Sequence, residues 1–251
     1  MPEATPYRVL ARKYRPTVLS ELVGQDVLVR TLSNAFQSGR IHHAFLLTGV
    51  RGIGKTTTAR IIARDLNCIG PDGKGTEPTI HPCGRCEPCV SISESRNVDV
   101  QEMDAASRTG VDDVREIIEA TRFRPMQART KVFIVDEVHM LSRNAFNALL
   151  KTLEEPPAHV KFIFATTEIR KVPVTVLSRC QRFDLRRIES DVLIRHLRSI
   201  CDKESVDIDE DAVVGGLDGG VADVLAVAIL RSYHAVAHGV WRSRHRPRDA
   251  H

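Results

Sequence analysis

The sequence predicts an α/β fold in which helices cover both faces of a parallel sheet, followed by a small helical domain. Three observations support this fold class. Short apolar runs alternate with helix-length amphipathic stretches, as in a chain of β-α units. A glycine-rich, phosphate-binding pattern joins the first of these runs to a helix. Strand patterns then stop near residue 186, and helical spacing continues in their place.

The individual elements follow from apolar spacing, which is helical in some stretches and strand-like in others. In chain order, it predicts a helix at 26–38, a strand at 43–48, a helix at 57–66, a loop at 69–82, a strand at 98–104, a helix at 111–118, a strand at 131–137, a helix at 143–155 and a strand at 160–167. Ser142 is expected to cap the helix between the last two strands. One side of the first helix is expected to carry Val27, Leu28, Leu32 and Phe36.

The phosphate-binding pattern is G-x-x-x-x-G-K-[ST], which residues 49–56 fit at every fixed position. Its glycines allow backbone amides to close around phosphates, and Lys55 places a cation near the β and γ oxygens. The Thr56 hydroxyl can ligate Mg²⁺ at a helix N-terminus that favours anions. A chance glycine-rich turn is the alternative, which the flanking strand and helix argue against. The predicted nucleotide-binding residues are Gly49, Val50, Arg51, Gly52, Ile53, Gly54, Lys55, Thr56 and Thr57.

Polar residues that suit nucleotide hydrolysis follow two of the predicted strands. At the end of one, Asp136 can hold the Mg²⁺ shell while Glu137 orients or deprotonates water. An acidic strand end that only meets solvent is the alternative, and the phosphate-binding loop favours catalysis. Thr166 and Thr167 end a neighbouring strand, where a hydroxyl could sense the γ-phosphate. Arg179, taken alone, is an ordinary surface arginine.

Four of the six cysteines lie within 22 residues. Cys83, Cys86 and Cys89 make two overlapping C-x-x-C steps, and Cys68 supplies a fourth thiol. In a cytosolic chain this pattern favours a structural zinc site with four thiolate ligands over disulfides. An iron–sulfur cluster is the next alternative, and reactive thiols follow it. The remaining cysteines are expected to be packing residues: Cys180 and Cys201.

Charge and composition are those of an ordinary globular protein. The net charge of +4 comes from residues 231–251, without which 31 basic and 31 acidic residues remain. Net charge therefore gives no argument that the main body binds nucleic acid. The first ten residues lack the apolar core of a signal peptide, and no apolar run approaches the roughly 18 residues of a membrane span. A cytoplasmic protein without a membrane partner is expected.

Together these motifs resemble the gamma/tau subunits of bacterial DNA polymerase III, the motor of the replicative clamp loader. The resemblance covers about residues 7–210, and chance does not account for so many motifs in one order. Besides the phosphate-binding loop and the four-cysteine insertion, they are Arg40-Ile41-His42-His43-Ala44, Asp104-Ala105-Ala106-Ser107-Arg108, Asp136-Glu137-Val138-His139-Met140-Leu141-Ser142, Leu149-Leu150-Lys151-Thr152-Leu153-Glu154-Glu155-Pro156-Pro157 and Leu177-Ser178-Arg179-Cys180.

The resemblance implies a RecA-like AAA+ domain over residues 1–185, with a zinc module at about 68–90, and an incomplete helical lid over 186–226. ATP would bind between domain and lid. The implied roles are phosphate and Mg²⁺ binding for Lys55 and Thr56, metal support for Asp136, water activation for Glu137, the sensor-1 function for Thr167, and contact with the adenine side for Ala11, Arg12 and Val23.

The resemblance also implies partners. Arg179 would reach the ATP site of a neighbouring clamp-loader subunit as an arginine finger, which can contribute about 10³ or more in rate. The sliding clamp and primed DNA would be the other partners, the DNA being contacted mainly through its phosphates. The isolated chain is expected to assemble and hydrolyse ATP poorly.

Residues 211–251 depart from the family's pattern. The family has a Gly-Ser-x-Arg-Asp segment with a sensor-2 arginine, where the nearest stretch is Gly219-Gly220-Val221-Ala222-Asp223. Residues 227–251 are expected to be a divergent basic tail, in place of the collar domain through which the family's subunits join. A frameshift or truncation is one explanation, and a real tail that binds nucleic acid or a partner is the other.

Two other functions compete with the clamp-loader motor. One is a non-enzymatic AAA+ scaffold, against which the intact Lys55, Thr56, Asp136 and Glu137 argue. The other is a different DNA-acting AAA+ motor, such as a branch-migration or helicase-loading ATPase. The cysteine insertion and Ser178-Arg179-Cys180 argue against that alternative.

Overall fold

The structure is a computed structural model that describes residues 13–204. Contacts divide the chain into two units: Pro16–Arg187 is one, and the segments on either side of it form the other, of which residues 13–15 and 188–204 are described. In the larger unit the strands are β1 (Ala44–Thr48), β2 (Val100–Asp104), β3 (Lys131–Asp136), β4 (Val160–Thr166) and β5 (Gln181–Asp184). Its helices are α1 (Asp26–Gln37), α2 (Lys55–Asn67), α3 (Glu87–Ser93), α4 (Val111–Thr121), α5 (Arg143–Glu154) and α6 (Val174–Leu177).

The strands form one sheet in the order β2-β3-β4-β1-β5, and every pairing is parallel. Successive side chains of a strand point to opposite faces of a sheet. In β4, accordingly, Phe162 and Phe164 pack into one apolar cluster while Ile163 and Ala165 pack into another. The predicted parallel sheet with two covered faces is therefore confirmed.

Each face of the sheet is covered by a pair of helices with an apolar stripe. Helices α4 and α5 cover one face, with Val114 and Phe146 buried against it. Helices α1 and α2 cover the other, with Leu32 and Ile62 buried. These side chains are removed almost fully from water, which is the main favourable contribution to folding.

Local sequence signals set the ends of the helices. Ser142 caps α5 as predicted, since its hydroxyl accepts a hydrogen bond from the Ala145 amide at 3.2 Å. The helix ends just before Pro156 and Pro157, which cannot continue it. Gly54 precedes α2 with φ of +97°, a conformation that glycine adopts without strain.

The described part of the smaller unit contains helix α7 (Ser190–Glu204). This helix agrees with the predicted change to helical structure. Its buried residues follow helical spacing: Leu193, Leu197, Ile200 and Cys201. Near its end, Glu204 accepts hydrogen bonds from Lys13 and Tyr14. Of residues 13–204, no helix is long and apolar enough to cross a membrane.

Several predictions need correction. Val27 is 58% exposed, because it lies on α1 beside the buried stripe rather than in it. Strand β5 was not predicted: it is only four residues long, and Phe183 is its one buried residue. Cys89 lies in a short helix, α3, that the cysteine spacing did not reveal. The predictions for Ala11, Arg12, Gly219-Gly220-Val221-Ala222-Asp223 and the basic tail lie outside the described residues.

Candidate functional site

The carboxyl ends of β1, β3 and β4 gather the candidate site at one edge of the sheet. Because these strands are parallel and adjacent, the segments that follow them leave the sheet on the same side. The segments are the glycine-rich loop after Thr48, the acidic pair that begins at Asp136, and Thr167 after β4. Strand order therefore brings together three segments that are far apart in sequence.

The glycine-rich loop has a backbone that only glycine adopts easily. Gly49, Gly52 and Gly54 have φ of +147°, +78° and +97°. A Cβ at Gly49 would lie 3.0 Å from the carbonyl oxygen of Leu185. The loop then enters the 13-residue helix α2, whose first amides have no partner within the helix. The arrangement supplies backbone donors and the positive end of a helix dipole to an anion.

Lys55 is folded back onto this loop and is only 6% exposed. Its Nζ donates to the carbonyl oxygens of Gly49 at 3.0 Å and Val50 at 3.1 Å. Burial lowers the pKa of the Lys55 ammonium, and the nearby carboxylates of Glu137 and Asp136 oppose that shift. The ammonium is thus held at the loop by two neutral carbonyls.

Thr56 and Asp136 meet across the loop and the sheet. The Thr56 hydroxyl donates to Oδ2 of Asp136 at 2.5 Å, and Oδ1 of Asp136 accepts the Glu137 amide at 2.9 Å. A hydroxyl and a carboxylate side by side are hard oxygen donors, which suit Mg²⁺. This pair therefore fits a magnesium ion shared with a nucleotide.

Glu137 leaves the strand with φ of +46°, an uncommon conformation for a residue with a side chain. Its Oε2 accepts hydrogen bonds from the Thr167 hydroxyl at 2.9 Å and the Thr167 amide at 3.2 Å. Thr166, by contrast, is fully buried and accepts from the Glu168 amide at 3.0 Å. Of the two threonines, the structure brings Thr167 to the acid.

Arg179 lies away from this site. It comes two residues before Gln181, which pairs with Phe45 near the amino end of β1, whereas the glycine-rich loop follows the carboxyl end. From Phe45 to the end of the strand the chain advances by about 10 Å. The guanidinium donates to Glu154 at 2.5 Å and to the carbonyl of Thr175 at 2.6 Å. The structure does not bring Arg179 to the phosphate-binding loop of its own chain.

The four clustered cysteines form a second candidate site, separate from the first. The Sγ atoms of Cys68, Cys83, Cys86 and Cys89 all lie within 4.8 Å of one another. Sulfurs around a tetrahedral zinc ion are about 3.8 Å apart, since each Zn–S bond is about 2.3 Å. The cluster therefore fits zinc with little rearrangement, and all four cysteines are free.

Backbone amides and one arginine support the sulfurs. Cys68 Sγ accepts from the amides of Gly70 at 3.4 Å and Cys83 at 3.2 Å. Burial acts to raise the pKa of the Cys83 thiol, but the amides of Arg85 and Cys86 more than offset it and lower the pKa to about 7. A thiolate, which is the metal-binding form, is therefore favoured at Cys83, whereas burial raises the pKa of the Cys86 and Cys89 thiols.

Arg129 joins the cysteine segment to the start of β3. Its guanidinium donates to the carbonyl oxygens of Leu66 at 2.6 Å, Gly75 at 2.8 Å and Cys68 at 3.2 Å. Burial lowers the pKa of Arg129, and the nearby Cys68 and Cys86 oppose that shift. A cation thus lies beside the thiols.

Some polar residues at the sites were not assigned from the sequence. His139 belongs to a motif that the resemblance uses, yet spacing gave it no role. Glu154 likewise belongs to a motif of the resemblance, whereas Arg129 belongs to none. Neither was given a role, because their partners are distant in sequence. Of the adenine-side residues, Val23 is half-buried three residues before α1, and Ala11 and Arg12 lie outside residues 13–204.

The parallel sheet, the phosphate-binding loop after β1 and the acidic pair after β3 define an AAA+ P-loop ATPase fold. Solved structures agree. A RuvB Holliday junction branch migration motor of Thermotoga maritima is 20% identical, with a TM-score of 0.54 over 80% of this chain and 58% of that one. A variant of the same protein gives a TM-score of 0.61 at 18% identity, over 90% of this chain and 68% of that one. At these identities the likeness concerns the fold.

Residues 24–189 match the family model described as DNA polymerase III, delta subunit, and the chain belongs to this family. It is 45% identical to DNA polymerase III subunit tau/gamma of Haemophilus influenzae, over 88% of this chain and 32% of that one. It is 48% identical to subunit tau of Escherichia coli, over 80% and 30%, and to subunit gamma of Buchnera aphidicola, over 81% and 55%. The chain spans from about a third to about half of these relatives, and it corresponds to an N-terminal portion of a gamma/tau subunit. The predicted family is confirmed.

Proposed function

We propose that this chain is an ATP-binding and ATP-hydrolysing motor subunit of a clamp loader, which places a sliding clamp on primed DNA. The observation that carries the proposal is the gathering of Lys55, the Thr56–Asp136 pair and the Glu137–Thr167 pair at one edge of the sheet. These are the parts that phosphoryl transfer to water requires. The relatives that are DNA polymerase III subunits supply the replication context.

Phosphate binding is the first task of the site. Loop amides and the first turn of α2 receive the phosphates, and the Lys55 ammonium exchanges its two carbonyl partners for phosphate oxygens. Thr56 and Asp136 hold Mg²⁺, which neutralises charge that develops on the phosphate oxygens. On the strength of the resemblance, Val23 is assigned to the adenine side, as are Ala11 and Arg12, which lie outside residues 13–204.

Hydrolysis is the second task. Glu137 accepts a proton from the attacking water, because its carboxylate lies directly after the metal-binding acid. Thr167 acts as sensor 1, since its hydroxyl already contacts that carboxylate at 2.9 Å. Arg179 serves the site of a neighbouring subunit as an arginine finger, in keeping with its distance from its own phosphate-binding loop.

The remaining parts of the proposal concern structure and setting. Cys68, Cys83, Cys86 and Cys89 bind a structural zinc ion, which leaves no open coordination position for catalysis. The partners are the other clamp-loader subunits, the sliding clamp and primed DNA, which is contacted through its backbone. The protein acts in the cytoplasm.

The test is ATP hydrolysis by the chain mixed with its companion loader subunits, measured with and without clamp and primed DNA. We expect stimulation by both, loss of activity with Lys55→Ala, and retention with Lys74→Ala, at an exposed lysine. Arg179→Ala should reduce the assembled ATPase by about 10³ without changing ATP affinity, whereas Arg170→Ala should leave it unchanged. Hydrolysis that ignores clamp and DNA would overturn the clamp-loading role, and activity that survives Lys55→Ala would overturn the ATPase site.

A further inference from the structure

His139 is a buried residue beside the proposed water-activating acid, with no role assigned so far. It lies in the 3-10 turn Val138–Met140, immediately after Glu137, and its side chain is only 5% exposed. Its Nδ1 is 3.0 Å from the Thr166 hydroxyl and 3.4 Å from Oε2 of Glu137. Its Nε2 is 3.3 Å from Oε1 of Glu168. Both ring nitrogens therefore face oxygen atoms.

The contacts of Glu137 are distributed unevenly between its two oxygens. The Thr167 hydroxyl, the Thr167 amide and His139 Nδ1 all approach Oε2. Among residues 13–204, no hydrogen bond or ion pair of this carboxylate ends at Oε1. Oε2 thus accepts hydrogen bonds from Thr167 and has the His139 ring 3.4 Å away, and Oε1 is available to a water molecule.

We propose that His139 is a positioning residue, which together with Thr167 fixes the Glu137 carboxylate through Oε2 and leaves Oε1 to accept the proton of the attacking water. This inference rests on the proposed ATPase function. In the step itself, the water oxygen bonds to the γ-phosphorus, the bond from that phosphorus to the β-phosphate oxygen breaks, and the water proton moves to Oε1. The carboxyl group afterwards returns the proton to solvent.

The ring is held in this orientation from its other end. Glu168 contacts Nε2, and Glu168 in turn pairs with Lys171 at 2.9 Å. The Thr166 hydroxyl, fixed by its hydrogen bond from the Glu168 amide, contacts Nδ1. A ring whose two nitrogens both contact oxygen atoms cannot turn without breaking those contacts, and the His139 side chain is itself buried. That rigidity suits a residue that positions another group.

The two nitrogens can be tested separately. His139→Asn keeps a polar atom close to the Nδ1 position, His139→Gln keeps one close to Nε2, and His139→Leu keeps neither. In the assembled loader with clamp and primed DNA, we expect His139→Leu and His139→Gln to lower kcat by about tenfold or more, since general-base catalysis depends on geometry. We expect His139→Asn to retain most of kcat. KM for ATP and the affinity for a fluorescent ATP analogue should stay within about twofold.

Several outcomes would overturn the inference. Unchanged kcat in His139→Leu would do so, as would a change confined to KM. Equal losses in all three variants, together with lowered melting temperatures, would show that the ring only packs. His159→Asn, at a histidine whose ring contacts the Thr121 carbonyl, serves as the matched control and should leave kcat unchanged. If Lys55→Ala in the same assembly keeps its activity, the proposed function fails; if it is inactive while His139→Leu is not, only this inference fails.

Discussion

Replacing Arg129 with methionine should weaken metal binding by the cysteine cluster. The guanidinium makes three hydrogen bonds to carbonyl oxygens of the segment that carries Cys68, and it lies near the thiols. A hydrogen bond that involves a charged group contributes about 1.5–3 kcal/mol. Because the three bonds share one partly exposed side chain, we take about 2–3 kcal/mol for the set. Four thiolates around Zn²⁺ also carry net negative charge, which the arginine balances.

This energy translates into a measurable affinity. Since 1.4 kcal/mol corresponds to a factor of ten, Arg129→Met should bind zinc about 30- to 140-fold more weakly. The assay is zinc transfer from the purified chain to a chromophoric chelator at known concentrations. Arg129→Lys keeps the charge but not the planar set of donors. Its zinc affinity should therefore lie between those of the unaltered chain and Arg129→Met. If Arg129→Met binds zinc as tightly as the unaltered chain, the reasoning is refuted. It is also refuted if Arg124→Met, at an exposed neighbour, loses as much zinc affinity as Arg129→Met.

Three further predictions concern the site and the core. Glu137→Gln should lower the assembled ATPase by about 10²–10⁴ while ATP affinity, measured by fluorescence, stays within twofold; Glu155→Gln is the exposed control. Gly49→Ala should lower the melting temperature and ATP affinity, because of its φ and the 3.0 Å approach to Leu185; Gly39→Ala, with φ of +67° in open space, should leave ATP affinity unchanged. Burial raises the pKa of Asp65 well above its ordinary value, and neither of its carboxylate oxygens has a hydrogen-bond partner within residues 13–204. Its contribution to stability is present at low pH and is lost as pH rises through the raised pKa, so Asp65→Asn should raise the melting temperature more at pH 8 than at pH 5.

The two adjacent threonines show where prediction from sequence reaches its limit. The pattern of β4 indicated that a hydroxyl at its end could sense the γ-phosphate, but it did not separate Thr166 from Thr167. Only the resemblance assigned the sensor-1 function to Thr167. A shift of one residue moves a side chain to the other face of a sheet. The structure buries Thr166 and brings Thr167 to Glu137.

Features that depend on neighbouring residues could be predicted from the amino-acid sequence. Glycines at fixed spacing give the phosphate-binding loop its backbone, and apolar periodicity gives α1, α2, α4, α5 and the strands β1 to β4. Ser142 caps its helix through an amide three residues away. Such features need only local geometry. Strand β5 is too short for an alternating apolar pattern to be recognised in the sequence. It forms because the backbone groups along the edge of β1 are free to pair with it.

Contacts between side chains that are distant in sequence could not be predicted, because they depend on how the strands are ordered. The order β2-β3-β4-β1-β5 brings Thr56 to Asp136 and Glu137 to Thr167 at the carboxyl ends of the strands. Arg179 lies near their amino ends, because it comes just before β5. Arg129 and His139 acquire partners in the same way. The physical reason is that periodicity and capping act over one or two turns of chain, whereas contact between separate segments depends on strand order, register and packing, which the whole fold sets.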